Sequence, residues 1–271
     1  MGRKSARVAL KLAGAAACAM MMMSAGAAAV SAAPVAQPGY QRVPGLKASQ
    51  DFSGIWQTDE YQAKLTPVWG GEPPFTKAGR AAFRANNRDI KKNDDAKALC
   101  VAQGTPRYLI SPFPFMVTFT PKRVTVVYEE NRAYRHLFIN AGHNDPEIWD
   151  PSYAGDATAK WNGDVLEVDV VNFNGKTWLD DTGLPSSDQL HVTERWRKLE
   201  DGRLEVVATI TDPVNYSQSW TARRVFQPRP DVELHDDYVC GEPHRSLADV
   251  KGADKMIEVP AIQLMFAEDK K

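Results

Sequence analysis

Residues 156–173 read DATAKWNGDVLEVDVVNF, and residues 190–212 read LHVTERWRKLEDGRLEVVATITD. Each is two alternating or β-branched runs split by a turn pair, Asn162-Gly163 in the first and Asp201-Gly202 in the second. Such pairs between alternating apolar runs mark β-hairpins. Similar runs lie upstream at 114–120 (PFMVTFT), 123–130 (RVTVVYEE) and 134–140 (YRHLFIN), and downstream at 219–228 (SWTARRVFQP). About eight strands joined by hairpin turns predict an all-β antiparallel meander rather than βαβ units. Closing it into a barrel removes its edges. One helical insertion is expected near residues 76–99, with Thr76 as N-cap and Ala78, Ala82 and Phe83 as its apolar stripe. Residues 66–75 hold three Pro and two Gly and read as a loop.

The hairpins imply registers. With Asp201-Gly202 as a two-residue turn, Glu200 faces Arg203 and Lys198 faces Glu205. Leu204, Val206, Ala208 and Ile210 then share the core face with Leu199, Arg197, Arg195, Thr193 and His191. This places His191 across from Asp212 in a polar cluster inside the sheet, where buried polar groups need partners. The Asn162-Gly163 turn puts Leu166, Val168 and Val170 on the core face, continuing to Asn172, with Glu167 and Asp169 on the other. The 123–139 register is open by one residue, so the direction of His136 is open too.

Outward from the sheet, residues 1–11 are basic (Arg3, Lys4, Arg7, Lys11) and residues 12–30 apolar and uncharged. Val30-Ser31-Ala32 suits signal peptidase, so residues 1–32 read as a secretory signal cut after Ala32. The rival is a retained membrane anchor; Cys18 lacks the surroundings of a lipoprotein site. Cleavage would leave the chain periplasmic or secreted, with no stable membrane anchor. Residues 33–50 read as a linker, 51–250 as one barrel domain and 251–271 as a tail. Of 33 basic residues four lie in the leader, leaving 29 against 34 acidic, a net of −5. That balance excludes a nucleic-acid partner driven by bulk charge. The 43% hydrophobic and 25% charged content excludes global disorder. Two cysteines remain after cleavage, Cys100 and Cys240, and export favours a disulfide between them over two separate buried thiols. The oligomeric state is not encoded in any pattern here.

Gly54-Ile55-Trp56 on the first strand, with Arg223 or Arg224 on the last, resembles the lipocalin signature. In lipocalins a Trp at the barrel base packs against a late Arg. The likeness covers residues 51–226 in outline and implies a lipocalin-like barrel; the helical insertion departs from it. A broad group of exported bacterial proteins without a settled activity is similar in more detail. Its pattern is matched by Asp51-Phe52-Ser53-Gly54-Ile55-Trp56, Pro73-Pro74-Phe75-Thr76, Gly104-Thr105-Pro106-Arg107 and Trp161-Asn162-Gly163-Asp164. Asn172-Phe173-Asn174, Trp178-Leu179-Asp180, His191-Val192-Thr193-Glu194-Arg195 and Asp212-Pro213 match it as well. In that group the segment before the Trp typically reads Gly-His-Ser, where this chain has Gly155-Asp156-Ala157. Any role of that His is moved or lost here. The resemblance implies a fold and no substrate.

Two long loops carry candidate chemistry, since loops of this length are typically lids, binding loops or disordered. Loop 172–190 holds Trp178, Asp180 and Asp181; the Asp pair suits a general base, a metal-ligand pair or plain turn chemistry. Loop 140–156 holds His143, Asp145, Trp149, Asp150 and Tyr153. Neither loop has zinc or calcium spacing, so no metal is expected. The strand-borne set is His191, Glu194, Arg195 and Asp212. An Asp-oriented His moves protons near neutral pH, although a satisfied buried network explains the same set. Tyr216 and Trp220 either line a mouth or pack at it. His235 and His244 read as surface residues. No G-x-S-x-G elbow, nucleotide-binding glycine motif or C-x-x-C-H haem site exists, so no cofactor is expected.

The expected function is that of an exported, cofactor-independent acid/base enzyme, a lyase, isomerase or hydrolase. Its substrate is a small apolar or aromatic molecule in a barrel pocket. His191 or His143 would move the proton, Asp212, Asp180 or Asp181 would orient it, and Arg195 would stabilise negative charge. Trp149, Tyr153, Asn172, Trp178, Tyr216 and Trp220 would line the substrate pocket. The rivals are a non-catalytic carrier of a small hydrophobic ligand and an envelope interaction module.

Overall fold

A computed structural model describes residues 44–89 and 102–235. The leader, Cys100, Cys240 and the second half of the expected helical insertion lie outside the described residues. Nine strands close into one barrel in chain order. They are β1 (Gly54–Gln57), β2 (Phe115–Thr120), β3 (Arg123–Tyr128), β4 (Tyr134–Ile139) and β5 (Asp156–Asn162). The remainder are β6 (Val165–Val171), β7 (His191–Lys198), β8 (Leu204–Thr211) and β9 (Trp220–Pro228). The helix α1 spans Lys77–Asp89. Thr76 caps it, its Oγ1 accepting from Gly79 N–H at 2.9 Å. No helix among the described residues is long and apolar enough to cross a membrane.

The barrel is lipocalin-like in outline, and one seam departs from the antiparallel expectation. Nine strands cannot alternate direction all around a closed sheet, so at least one neighbouring pair must run parallel. That pair is β4–β5, with Phe138 against Thr158 and Ile139 against Ala159, and Asn140 N–H donating to the Ala159 carbonyl at 2.7 Å. Parallel neighbours need a crossover instead of a tight turn. Residues 140–155 supply it, running along the outside of the wall from the end of β4 to the start of β5. All other neighbours are antiparallel. One rim therefore carries the long connections 58–114, 172–190 and 212–219, and the other carries tight turns.

The turns decide which side chains face in. Asn162 pairs with Val165, so the first turn is Gly163-Asp164, with Gly163 at φ 61°. The two-residue slip from the expected pairing keeps the faces, and Leu166, Val168 and Val170 are buried. Asn172 leaves the pattern, because its φ of 58° ends the alternation just past β6.

The second turn corrects the sequence reading. Leu199 N–H donates to the Arg203 carbonyl at 2.8 Å, and Gly202 N–H to the Leu199 carbonyl at 3.0 Å. The loop thus holds three residues, and Gly202 takes the left-handed conformation at φ 85°. The extra residue shifts the pairing by one, so Lys198 meets Leu204 and Arg197 meets Glu205. A one-residue shift turns every side chain of β7 over. Val192, Glu194 and Trp196 face in; His191, Thr193, Arg195 and Arg197 face out. His191 pairs with Thr211, not Asp212. The β3–β4 register, open in the sequence, sets Thr125 against His136 and points His136 outward.

The interior is filled. Phe52 closes the tight-turn rim, stacked on Trp196 at 6.1 Å and edge-on to Phe119 at 5.0 Å. Trp56 is buried as the lipocalin likeness implies, and its indole N–H donates to the Phe52 carbonyl at 2.9 Å. The late arginines bind elsewhere: Arg223 to Glu205 at 2.5 Å, Arg224 to the Lys64 carbonyl at 2.8 Å. Residues 103–111 are buried throughout and plug the long-loop rim. Residues 47 and 50 of the expected linker rest on the Gly163-Asp164 turn. Gln50 Nε2 donates to the Gly163 carbonyl at 2.8 Å, and Lys47 Nζ lies 3.3 Å from Asp164 Oδ1.

Candidate functional site

A polar cluster does lie inside the barrel, built from other residues than expected. Glu194 is fully buried and binds Arg135 Nη1 through both oxygens at 3.2 Å. Trp196 Nε1 donates to it at 2.8 Å, and Thr105 Oγ1 donates as well. Two opposite charges taken out of water together need such mutual satisfaction. The aromatic core encloses this pair.

The titratable groups meet instead on the outer wall. Alternation puts Asp156 and Thr158 of β5, Asp169 of β6, and His191, Thr193 and Arg195 of β7 on the outer face. The crossover loop adds His143. Its Nδ1 lies 3.1 Å from Asp156 Oδ2 and its Nε2 lies 2.8 Å from Asp169 Oδ2. His191 Nε2 lies 2.6 Å from the other Asp169 oxygen. Asn144 secures the far end, donating to Asp156 from its backbone N–H at 2.7 Å and from Nδ2 at 2.9 Å. The result is a continuous row, Asp156–His143–Asp169–His191, across three strands.

Its electrostatics follow from the pairing. Burial pushes the Asp169 carboxyl up, but hydrogen bonds from His191 and His143, and their charge, outweigh it and hold the group below the usual range. Carboxylates only accept, so only the imidazolium form of His143 donates at both nitrogens. His191 uses one nitrogen on Asp169 and is half-exposed.

Two open spaces flank this row. A seam cleft of about 560 Å3 lies where β4 and β5 part, walled by Tyr134, His136, Phe138, Trp149, Asp156 and Asn172. Asn172 Nδ2 donates to the Trp149 carbonyl at 3.0 Å and holds the crossover loop over it. A groove of about 650 Å3 lies on the other side, bordered by His143, Thr158, Asp169, Thr193 and Arg195. Ala141 and Gly142 border both spaces. Both of these spaces lie on the outside of the barrel wall, whereas the expected pocket was inside the barrel.

Of the expected site residues, the structure joins His143 and His191 through Asp169, puts Trp149 and Asn172 on the seam cleft and puts Arg195 on the groove. It places the rest apart. Asp212 is buried and accepts from Ser187 N–H at 2.8 Å, Ser187 Oγ at 2.7 Å and Asn215 Nδ2 at 2.8 Å, joining two rim loops. Asp180 is fully buried and accepts from Leu65, Thr182 and Leu184 N–H and from Thr182 Oγ1. Burial nonetheless pushes its carboxyl up. Asp181 binds Arg107 Nη2 at 2.6 Å and Tyr61 Oη at 2.6 Å. Tyr216 and Trp220 are buried and meet edge-on at 5.5 Å, with Tyr216 Oη donating to the Pro185 carbonyl. Trp178 is half-buried in the same rim loop. Tyr153 is half-buried, and its carbonyl packs so closely on Gly104 that a Cβ there would come within 2.0 Å.

Sequence reasoning missed Asp156, Asp169, Asn144 and the Tyr134–His136–Phe138 face. Position 156 carries Asp where the resembled group carries His, and here an imidazole arrives from His143. No known family model matches this chain, and no curated protein matches it either.

Proposed function

We propose that this is an exported, cofactor-independent acid/base enzyme acting on a small apolar or aromatic molecule held in the seam cleft. The observation that carries the reading is the row Asp156–His143–Asp169–His191, which runs from the cleft wall to a half-exposed imidazole. Asp156 stands in the wall and meets the substrate. When Asp156 gives up a proton to it, the His143 imidazolium passes its Nδ1 proton to Asp156, and the neutral ring keeps its Nε2–H on Asp169, which stays ionised between the two imidazoles. His143, part-exposed, regains its Nδ1 proton from solvent. Run backwards, the same row removes a proton. Isomerisation and elimination need such transfers at carbon, and a group held in line contributes about 10²–10⁴-fold. Tyr134, Phe138 and Trp149 provide the apolar walls.

A carrier is the second reading. The rings of Tyr134 and His136 lie 5.2 Å apart, and those of His136 and Phe138 6.1 Å apart. That face can hold an aromatic ligand without any chemistry.

Incubation of the purified protein in D2O with a panel of aromatic and terpenoid compounds separates the two. An acid/base enzyme places deuterium on carbon in one of them, read by mass spectrometry. A carrier retains a compound through gel filtration and leaves its isotope pattern unchanged.

A further inference from the structure

Three rings follow one another along the outer face of β4. Tyr134, His136 and Phe138 alternate with the buried Arg135 and Leu137, so all three point away from the barrel interior. The Tyr134 and His136 rings lie 5.2 Å apart at 44°, and those of His136 and Phe138 6.1 Å apart at 60°. Both separations are those of aromatic contacts. Tyr134 and Phe138 remain open, at 66% and 40% exposure. With Trp149 the three rings border the seam cleft, whose volume of about 560 Å3 is that of a small-molecule pocket.

The middle ring is the polar one. His136 Nδ1 lies 3.2 Å from Thr125 Oγ1, which fixes the imidazole on the wall, and Nε2 has no hydrogen-bond partner among the described residues. Burial, and then the charge of Arg123, push the imidazole below its ordinary range, so the ring is neutral at pH 7 and above. A neutral imidazole carries one N–H and one lone pair. The Thr125 hydroxyl can accept from Nδ1–H or donate to a bare Nδ1. Nε2 is accordingly an acceptor in one tautomer and a donor in the other. A hydroxyl, which both donates and accepts, meets either one.

Charge narrows the class further. Asp150 and Asp156 border the cleft. Among the described residues around it, the one permanently cationic side chain is Arg135, and the buried Glu194 already holds that guanidinium at 3.2 Å. An anionic ligand would meet two carboxylates and no open cation. We propose that the seam cleft takes a neutral hydroxyaromatic molecule, a phenol, with its ring among Tyr134, Phe138 and Trp149 and its hydroxyl on His136 Nε2. The inference rests on the seam cleft as the binding site and not on proton transfer, so it applies to an enzyme and to a carrier alike.

The test titrates the 15N-labelled full-length chain with 4-ethylphenol, 4-ethyltoluene and 4-ethylbenzoate, which share a ring and differ in one group. Affinities come from the NMR titration, and the His136 Nε2 resonance reports the contact. The expected result is that 4-ethylphenol binds about 5–10-fold more tightly than 4-ethyltoluene, shifts the Nε2 resonance, and leaves 4-ethylbenzoate the weakest of the three. His136→Phe keeps a ring without the nitrogen. It should abolish the preference for the phenol and leave the affinity for 4-ethyltoluene within about twofold, with circular dichroism unchanged. The wild-type comparison decides the matter should that variant fail to fold. Binding of 4-ethyltoluene or 4-ethylbenzoate as tight as that of 4-ethylphenol would overturn the proposal. So would a preference for the phenol that survives in folded His136→Phe, or no binding of any probe. A phenol that binds in D2O without gaining deuterium on carbon would leave this inference standing and count against the acid/base reading. Deuterium gained only by compounds without a hydroxyl would do the reverse.

Discussion

His143 Nε2 and Asp169 Oδ2 lie 2.8 Å apart, and this bond fastens a crossover loop to the strand it passes over. The parallel β4–β5 seam requires that loop, and the loop carries the imidazole that completes the row. A topological necessity of an odd-stranded barrel and the chemistry of the candidate site thus meet in one contact.

Asp169→Asn removes the charge that both imidazoles share. The folded carboxyl titrates below its unfolded value, so its contribution is full above the ordinary aspartate range, near about 4. It is lost as pH falls through the folded value. Because the group is 43% exposed, screening reduces the effect to about 0.5–1 kcal/mol. Denaturant unfolding should show that deficit at pH 6–7 and none at the acid end of the range. A deficit that persists at low pH contradicts the assignment.

His191 should couple to Asp169 and not to Asp212. A double-mutant cycle with His191→Ala and Asp169→Ala should give at least about 0.5 kcal/mol of interaction energy. The cycle with Asp212→Ala should add within about 0.3–0.5 kcal/mol. Asp212→Ala alone should cost about 2–4 kcal/mol, because it strips the acceptor from Ser187 and Asn215 in a buried site.

Gly202→Ala meets no neighbour, since nothing lies within 4 Å of the added Cβ. The cost is the left-handed backbone alone, about 1–2 kcal/mol. Thermal unfolding should show the loss with the native circular dichroism spectrum retained. An unchanged or higher midpoint would mean that the three-residue turn is wrong.

The expected bridge between Cys100 and Cys240, which lie outside the described residues, is tested by mass analysis without reductant: no free thiol at either position bears it out, and two alkylatable cysteines refute it. Reduction should lower stability by about 2–5 kcal/mol through the long loop it opens.

The strands, their order and the barrel were legible because period-two runs and turn pairs are local signals. The faces of β6 survived a two-residue slip at Gly163-Asp164. Those of β7 did not survive the one-residue slip at Gly202, since a left-handed glycine adds a residue without altering the pattern. That slip moved His191 and Arg195 from core to wall and Glu194 from wall to core. His143 and Trp149 were legible as chemistry-bearing residues on a long loop. The partners of His143 were not, because Asp156 and Asp169 meet it only through the crossover of the parallel seam, which no short-range pattern announces.

The most direct test of the central claim is deuterium incorporation by His143→Gln. Glutamine keeps a hydrogen-bonding group between Asp156 and Asp169 but cannot carry a proton. With a compound that the wild type labels from D2O, the variant should still bind it and should label it about 10²–10⁴ times more slowly. A folded His143→Gln protein that labels the compound at the wild-type rate would contradict the account.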